Sequence, residues 1–257
     1  MAEKIPQKGR NYCQGCNEGL QLDFEFTMAF QPIVNVKTAT VFGYEALVRG
    51  TNEESAFSII SQVNAASLYT FDQRCRMKAI VMAAELNIDC LLSINFMPNA
   101  VFTPQRCIRN TLETAKTHDF PTEKIMFEFT ESERIQNSAH INQIIQCYSE
   151  LGFTTAIDDF GAGYSGLGLL ANLQTQIVKI DIALIRNIHR DFPRQAILTH
   201  MLRLFDDLNI TPVAEGVETA EELEWLVNAG ISLIQGFYIA KPGFQHLPEV
   251  DFNRLTS

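Results

Sequence analysis

The stretch FTMAFQPIVNVKTATVFGYEALVRG, residues 26–50, decides the architecture. It holds two apolar, β-branched runs, Met28–Val34 and Val41–Leu47, which read as strands. Only Asn35 to Thr40 separate them. Parallel neighbours need a crossover of a dozen or more residues, so these two strands must pair antiparallel. Six further strand-like runs follow, at Leu91–Asn95, Ile125–Phe129, Thr154–Asp158, Ile177–Asp181, Pro212–Glu215 and Ser232–Gln235. Helical patterns cover Glu53–Asn64, Phe71–Leu86, Pro104–Thr117, Ala139–Leu151, Arg194–Leu208 and Ala220–Ala229.

Strand and helix alternate to the end, the pattern of a parallel sheet with helices packed outside it. Eight strands in 257 residues suit a closed barrel, which typically takes about 250 residues. The expected fold is therefore α/β, a modified TIM barrel with its first two strands antiparallel. No Pro/Gly/Ser-rich linker or repeat divides the chain. Residues 1–25 read as a tail and 26–257 as one domain.

Composition narrows the function. The chain is 46% apolar and 19% charged, as expected for a globular protein with a substantial core. No apolar run reaches about 18 residues, so no membrane span is expected. The polar segment Met1 to Gly19 lacks the apolar centre of a secretory signal, and a cytoplasmic location is the expectation. A formal charge of −10 argues against a nucleic-acid polymer as partner, since that binding relies on clustered Lys and Arg. A small phosphorylated ligand stays open to an acidic protein if divalent cations bridge carboxylates to phosphate oxygens.

Cys13 and Cys16 form the only close pair among six cysteines, too few ligands for a usual zinc site. The pair reads as part of a plain tail, with a metal or redox role as the alternative. The other four cysteines lie in apolar contexts and are expected to be buried thiols.

The location of polar residues carries the chemistry. Glu45 lies near the end of the second strand, Asn95 ends the third and Glu128 closes the fourth. Asp158 and Asp159 close the fifth, Lys179 and Asp181 the sixth, Glu215 the seventh and Gln235 the eighth. A single carboxylate at a strand end is commonly a solvated loop residue or a helix cap. Seven consecutive strand ends bearing acid, amide or amine groups are another matter, because such groups are costly to desolvate unless paired or metal-bound. In a barrel of parallel strands these ends converge on the face where active sites sit. Crowded carboxylates and an amide oxygen suit a hard cation such as Mg²⁺ or Mn²⁺ better than zinc. The adjacent acids Asp158-Asp159 can bridge two metals, an arrangement suited to phosphoryl displacement. No Ser-His-Asp set or P-loop is readable, and the five histidines fall away from these strand ends.

At these positions the chain resembles the EAL-domain cyclic di-GMP phosphodiesterases. The resemblance rests on Tyr44-Glu45-Ala46-Leu47-Val48-Arg49, Gln31-Pro32-Ile33, Asn95 in Ser-Ile-Asn-Phe, and Glu128-Phe129-Thr130-Glu131. It continues through Asp158-Asp159-Phe160-Gly161-Ala162-Gly163-Tyr164-Ser165, Lys179-Ile180-Asp181, Ala214-Glu215-Gly216-Val217-Glu218-Thr219 and Gln235-Gly236-Phe237. It spans about Phe26 to Pro242; Phe129, where Leu is common, is a conservative departure.

The resemblance implies hydrolysis of cyclic di-GMP to linear pGpG with two Mg²⁺ or Mn²⁺ ions. By similarity Glu45, Asn95, Glu128 and Asp158 ligate metal, and Asp159 completes a second site. Lys179 would orient the attacking water, and Glu215 would be general base or a further ligand. Arg49 would contact phosphate, with Gln31, Leu47, Asp181 and Gln235 also on the substrate side and Gln235 supporting the metal-water network. Residues 159–165 correspond to a loop linking metal binding to dimer contacts, its mobility aided by Gly161 and Gly163. Glu131 would anchor that loop, with a simple helix-start carboxylate as the alternative, and Glu218 would support a metal ligand from behind or be a helix-start charge. A homodimer and a separate regulatory partner are expected. The competing expectation is a non-catalytic cyclic di-GMP receptor or protein-interaction module of the same fold.

Overall fold

The first two strands form the predicted hairpin. β1 (Thr27–Asn35) and β2 (Thr40–Arg49) pair antiparallel along their length, with Gln31 opposite Glu45 and a bulge between Ile33 and Val34. Asn35 shapes the turn, its Oδ1 accepting from the Lys37 and Thr38 amides at 3.0 and 3.3 Å. The structure, a computed structural model, describes residues 22–130, 138–163, 166–173 and 175–255. Cys13, Cys16 and Glu131 lie outside that range.

β3 (Leu91–Asn95), β4 (Ile125–Thr130), β5 (Thr154–Phe160), β6 (Ile177–Ile180), β7 (Thr211–Ala214) and β8 (Leu233–Ile234) continue parallel to β2. β8 then pairs antiparallel with β1 and closes an eight-strand ring. β1 is thus the one strand of the ring that runs against both neighbours. A short β9 (Gly243–Phe244) adds to β1 outside the ring; two residues carry too little pattern to be read from sequence.

The helices are α1 (Ala56–Ile60), α2 (Leu68–Glu85), α3 (Pro104–Cys107), α4 (Arg109–Thr117), α5 (Ser138–Glu150), α6 (Gly166–Asn172), α7 (Ile182–Ile185), α8 (Phe192–Asp207) and α9 (Ala220–Asn228). Two differ from expectation for visible reasons. The helix expected from Glu53 starts at Ala56, because Glu53 is left-handed at φ 66° and Ser55 caps the Ser58 amide. The helix expected over 104–117 is interrupted at Ile108, whose backbone relaxes to ψ −11° while its side chain is buried. α6 and α7 are too short, and α6 too glycine-rich, for a clear helical period.

Two apolar layers result. The larger lies between sheet and helices, where Tyr148 of α5 meets Phe127 and Phe153 with the rings tilted or edge-on. The second fills the barrel. Ile33, Met126, Ala156, Ile177, Val213 and Leu233 pack together, flanked by Phe42 and Leu91, so each of the eight strands supplies one residue to the plug. Side chains alternate with period two along a strand. Two residues beyond the plug, the inward positions are therefore Asn95's neighbour Ser93, Glu128, Asp158, Lys179, Glu215 and Gln235. Gln31 takes the same level on the reversed β1, facing Glu45 on β2.

Candidate active site

The polar layer is centred on an amine. Lys179 Nζ, on β6, is fully buried and lies 3.1 Å from Glu45 Oε2, 2.9 Å from Glu128 Oε2, 3.3 Å from Asp158 Oδ1 and 2.7 Å from Glu215 Oε1. Four strands thus aim carboxylates at one ammonium. Glu45 is held from the other side by Asn95 Nδ2 at 2.9 Å and Gln235 Nε2 at 2.7 Å. Gln235 Nε2 also reaches Gln31 Oε1 at 3.3 Å, and Gln31 Nε2 donates to the Ala240 carbonyl at 3.1 Å. Glu45 sits mid-strand rather than near a strand end, because pairing with β1 carries β2 on to Arg49.

Asp159 bends out of this ring. Its backbone is left-handed at φ 53°, a conformation Asp tolerates better than most residues, and its amide donates to Asp158 Oδ1 at 2.9 Å. The turn places Asp159 beside Asp158 and Glu215, and each of the three can bring an oxygen within 4.8 Å of the others.

Charge does not balance here. Among the described residues five carboxylates, Glu45, Glu128, Asp158, Asp159 and Glu215, share one lysine. Burial, reinforced by the Glu45 and Asp158 charges, holds Glu128 well above the usual carboxylate range against the pull of Lys179. Glu215 is raised well above it in the same way. Burial and then Asp158 push Asp159 up to about 6. For Lys179 burial favours the neutral amine, but the surrounding carboxylates outweigh it and keep the ammonium charged. Glu128 Oε1 is buried and has no hydrogen-bond partner among the described residues; Oε2 faces Lys179 without hydrogen-bond geometry. A buried carboxylate oxygen left in this state wants a cation. The donor set is all oxygen, with Asn95 Oδ1 free to join it, and so fits a hard divalent ion.

Two cavities open from this layer. One, of about 230 Å³, is walled by Asp181, Ile182, Glu215, Gly216 and Phe237. The other, of about 540 Å³, runs from Glu45, Asn95, Asp158 and Asp159 into an apolar recess lined by Leu47, Ile60 and Phe71. Arg49 is half-buried and its Nη1 donates to the Val48 carbonyl at 2.7 Å. Asp181 caps α7 by accepting from the Ala183 amide at 2.7 Å. Gly161 is left-handed at φ 100°, where a Cβ would strike Leu184 at 2.4 Å; Gly163 is exposed. Glu218 pairs with Arg186 at 2.7 Å. The sequence reading missed Ser93, which is fully buried beside these acids, its Oγ without a partner among the described residues. Its signal was position, two residues before Asn95. It also missed Asp72 on α2, which lines the larger cavity, pairs with Arg76 and accepts from the Met97 amide at 3.0 Å. Of the four cysteines expected to be buried, Cys107 and Cys147 are, while Cys75 and Cys90 are half-buried.

A model of the EAL domain matches residues 17–242. The chain belongs to the EAL domain family. Among curated relatives, the blue light- and temperature-regulated antirepressor BluF of Escherichia coli is 34% identical over 86% of this chain and 55% of its own length. The probable cyclic di-GMP phosphodiesterase PdeG of the same organism is 30% identical over 85% of the chain and 45% of its own length. The chain spans about half the length of these relatives. A standalone EAL protein from Vibrio cholerae, solved with c-di-GMP bound, is 61% identical with a TM-score of 0.88, covering 91% of this chain and 99% of that one. Klebsiella pneumoniae BlrP1, solved with manganese and cyclic di-GMP, is 31% identical with a TM-score of 0.83, covering 92% of this chain and 65% of that one. Among the described residues of this EAL domain, no helix is long and apolar enough to cross a membrane.

Proposed function

We propose that the protein is a divalent-metal-dependent phosphodiesterase that opens cyclic di-GMP to linear pGpG. The observation that carries this reading is the surplus of carboxylates around Lys179, with a Glu128 oxygen left unpartnered among the described residues at the C-terminal end of the barrel. Relatives named as cyclic di-GMP phosphodiesterases and neighbours solved with cyclic di-GMP support the substrate. Glu45, Asn95, Glu128 and Asp158 would hold one cation, and Asp159, with Glu215, would complete the second site, for Mg²⁺ or Mn²⁺. When bound, such cations supply Lewis-acid charge to phosphoryl oxygens and make water acidic enough to attack at neutral pH.

The chain's own groups do the rest. Lys179 has three N–H donors for the four carboxylates that face it, and would turn one of them to the water where a cation takes over a carboxylate. Glu215, 2.7 Å from that amine, would take the water's proton wherever it does not serve as the further ligand. Gln235 and Asn95 hold Glu45 in one orientation. Arg49 supplies a guanidinium fork to phosphate, and the recess beside Leu47 excludes water from one flank of the ligand. Gln31 and Asp181 complete the substrate side. A cytoplasmic setting, a homodimer and a separate regulatory partner belong to the same proposal.

Turnover of cyclic di-GMP with Mn²⁺ or Mg²⁺, followed by chromatography for pGpG, tests it directly. A folded protein that leaves the nucleotide intact with every divalent cation would sink the enzyme reading. The name antirepressor on a 34% identical relative favours a second reading, a nucleotide receptor or protein-interaction module. Tight binding of cyclic di-GMP with the nucleotide recovered intact would select that one.

A further inference from the structure

Two loops make adjoining walls of the smaller cavity. One runs from Asp181 through α7 to Asn187, the other from Glu215 to Thr219, the N-cap of α9. They meet at Gly216, left-handed at φ 64°, where a Cβ would lie 2.5 Å from Ile182. Glu222, on the first turn of α9 and fully buried, ties both loops together. Its Oε1 accepts from the Asn187 amide at 2.8 Å; its Oε2 accepts from the Glu218 and Thr219 amides at 2.9 and 3.3 Å. Arg186 crosses the same seam. Its Nη2 lies 2.7 Å from Glu218 Oε1 and 3.5 Å from the Gly216 carbonyl, and its Nη1 lies 3.7 Å from Glu222 Oε1.

A capping box accounts for the bond from Thr219 to Glu222 and back, and for nothing more. It does not account for the bond to Asn187 on the other loop, whose backbone is held left-handed at φ 57°, or for the guanidinium laid across both. A buried carboxylate is stable only when its oxygens are satisfied. Here the hydrogen bonds it accepts come from backbone amides of both loops.

We propose that Arg186 and Glu222 form a clasp of positioning residues for the reaction. The clasp locks the Glu215 loop to the Asp181 loop and so fixes Glu215 against Lys179, 2.7 Å away. This inference rests on the phosphodiesterase reading. Small displacements of a reacting group cost rate far more than they cost binding.

The test uses Arg186→Ala, Arg186→Lys and Glu222→Gln in the full chain, with wild type and Glu45→Ala alongside. The Arg186 side chain is 30% exposed, so its removal leaves no sealed cavity. Arg186→Ala should lower kcat for cyclic di-GMP about tenfold while KM and Tm stay near wild type, and Arg186→Lys should recover part of the loss. Glu222→Gln keeps the volume, and its effect should be less than additive with Arg186→Ala. Wild-type kcat in Arg186→Ala overturns the clasp, as does a fall that merely follows loss of folded protein. If wild type itself shows no turnover while binding the nucleotide, the phosphodiesterase reading fails instead. The clasp is then decided by amide hydrogen exchange of residues 215–219 and Asn187, which the clasp ties together. Several-fold faster exchange in Arg186→Ala supports it, and an unchanged rate overturns it.

Discussion

The barrel interior holds two layers that differ in almost everything except their construction. The plug, Ile33, Met126, Ala156, Ile177, Val213 and Leu233, is apolar and self-sufficient. The layer above it gathers five carboxylates, three amides and a lysine, and leaves Glu128 Oε1 without a partner among the described residues. Seven of the eight strands supply the two levels from positions two residues apart; on β2 the step from Phe42 to Glu45 is three, because Phe42 sits at the bulge opposite Ile33 and Val34. The plug is built for stability and the upper layer against it, the usual division between scaffold and site.

The sharpest way to break this contrast is Glu45→Gln. It removes one carboxylate from the crowd while keeping the side chain's size, so turnover with Mn²⁺ should fall about a thousandfold. Cation-free Tm should hold or rise, since a repelling charge is gone. Were the layer simply structural, Tm would drop and activity would follow it.

Lys179→Met probes the opposite charge. Four carboxylates lose the ammonium that faces them, and the folded state should lose about 3–5 kcal/mol in cation-free buffer, read by urea denaturation. Added Mn²⁺ should restore part of it. In the plug, Ile177→Ala should cost about 2–5 kcal/mol, with turnover per folded molecule nearly unchanged and no rescue by metal.

The layers should also differ in their response to pH. Asp159 has a folded pKa of about 6, above the roughly 3.9 of an unfolded Asp. A raised carboxylate stabilises the fold most when protonated. Its contribution is complete below about pH 4 and lost as pH rises through 6. Glu128 and Glu215 shift in the same direction. Divalent cations should therefore raise Tm more at pH 7 than at pH 5, measured by thermal denaturation in matched ionic strength. An equal rise at both would mean that the cations bind elsewhere. The smallest effect is expected from Arg49→Lys, which keeps charge but loses the fork; KM should rise about tenfold with kcat little changed.

Much of this contrast was legible in the sequence, for a physical reason. Polar groups such as Glu128 and Lys179, set into apolar strands, violate core composition, and the violation marks the layer without any coordinates. The six-residue gap from Asn35 to Thr40 likewise settled the direction of β1. What stayed hidden depends on partners distant in sequence. β2 runs past Glu45 because β1 pairs with it as far as Arg49, and Ser93 looks like an ordinary strand serine until Glu45 stands beside it in the register. Asp72 read as a helix residue because its partner amide, Met97, belongs to another element.

The two-residue step from plug to carboxylates has a consequence for how such a gene can drift. Substitutions on the outer helices alter one contact at a time. A single codon gained or lost within β6, between Ile177 and Lys179, would swing the amine toward the helices and bring Val178 or its neighbour into the cavity. The barrel strands should therefore accept exchange of letters but not a change in their number, and length variation in related chains should gather in the loops between them.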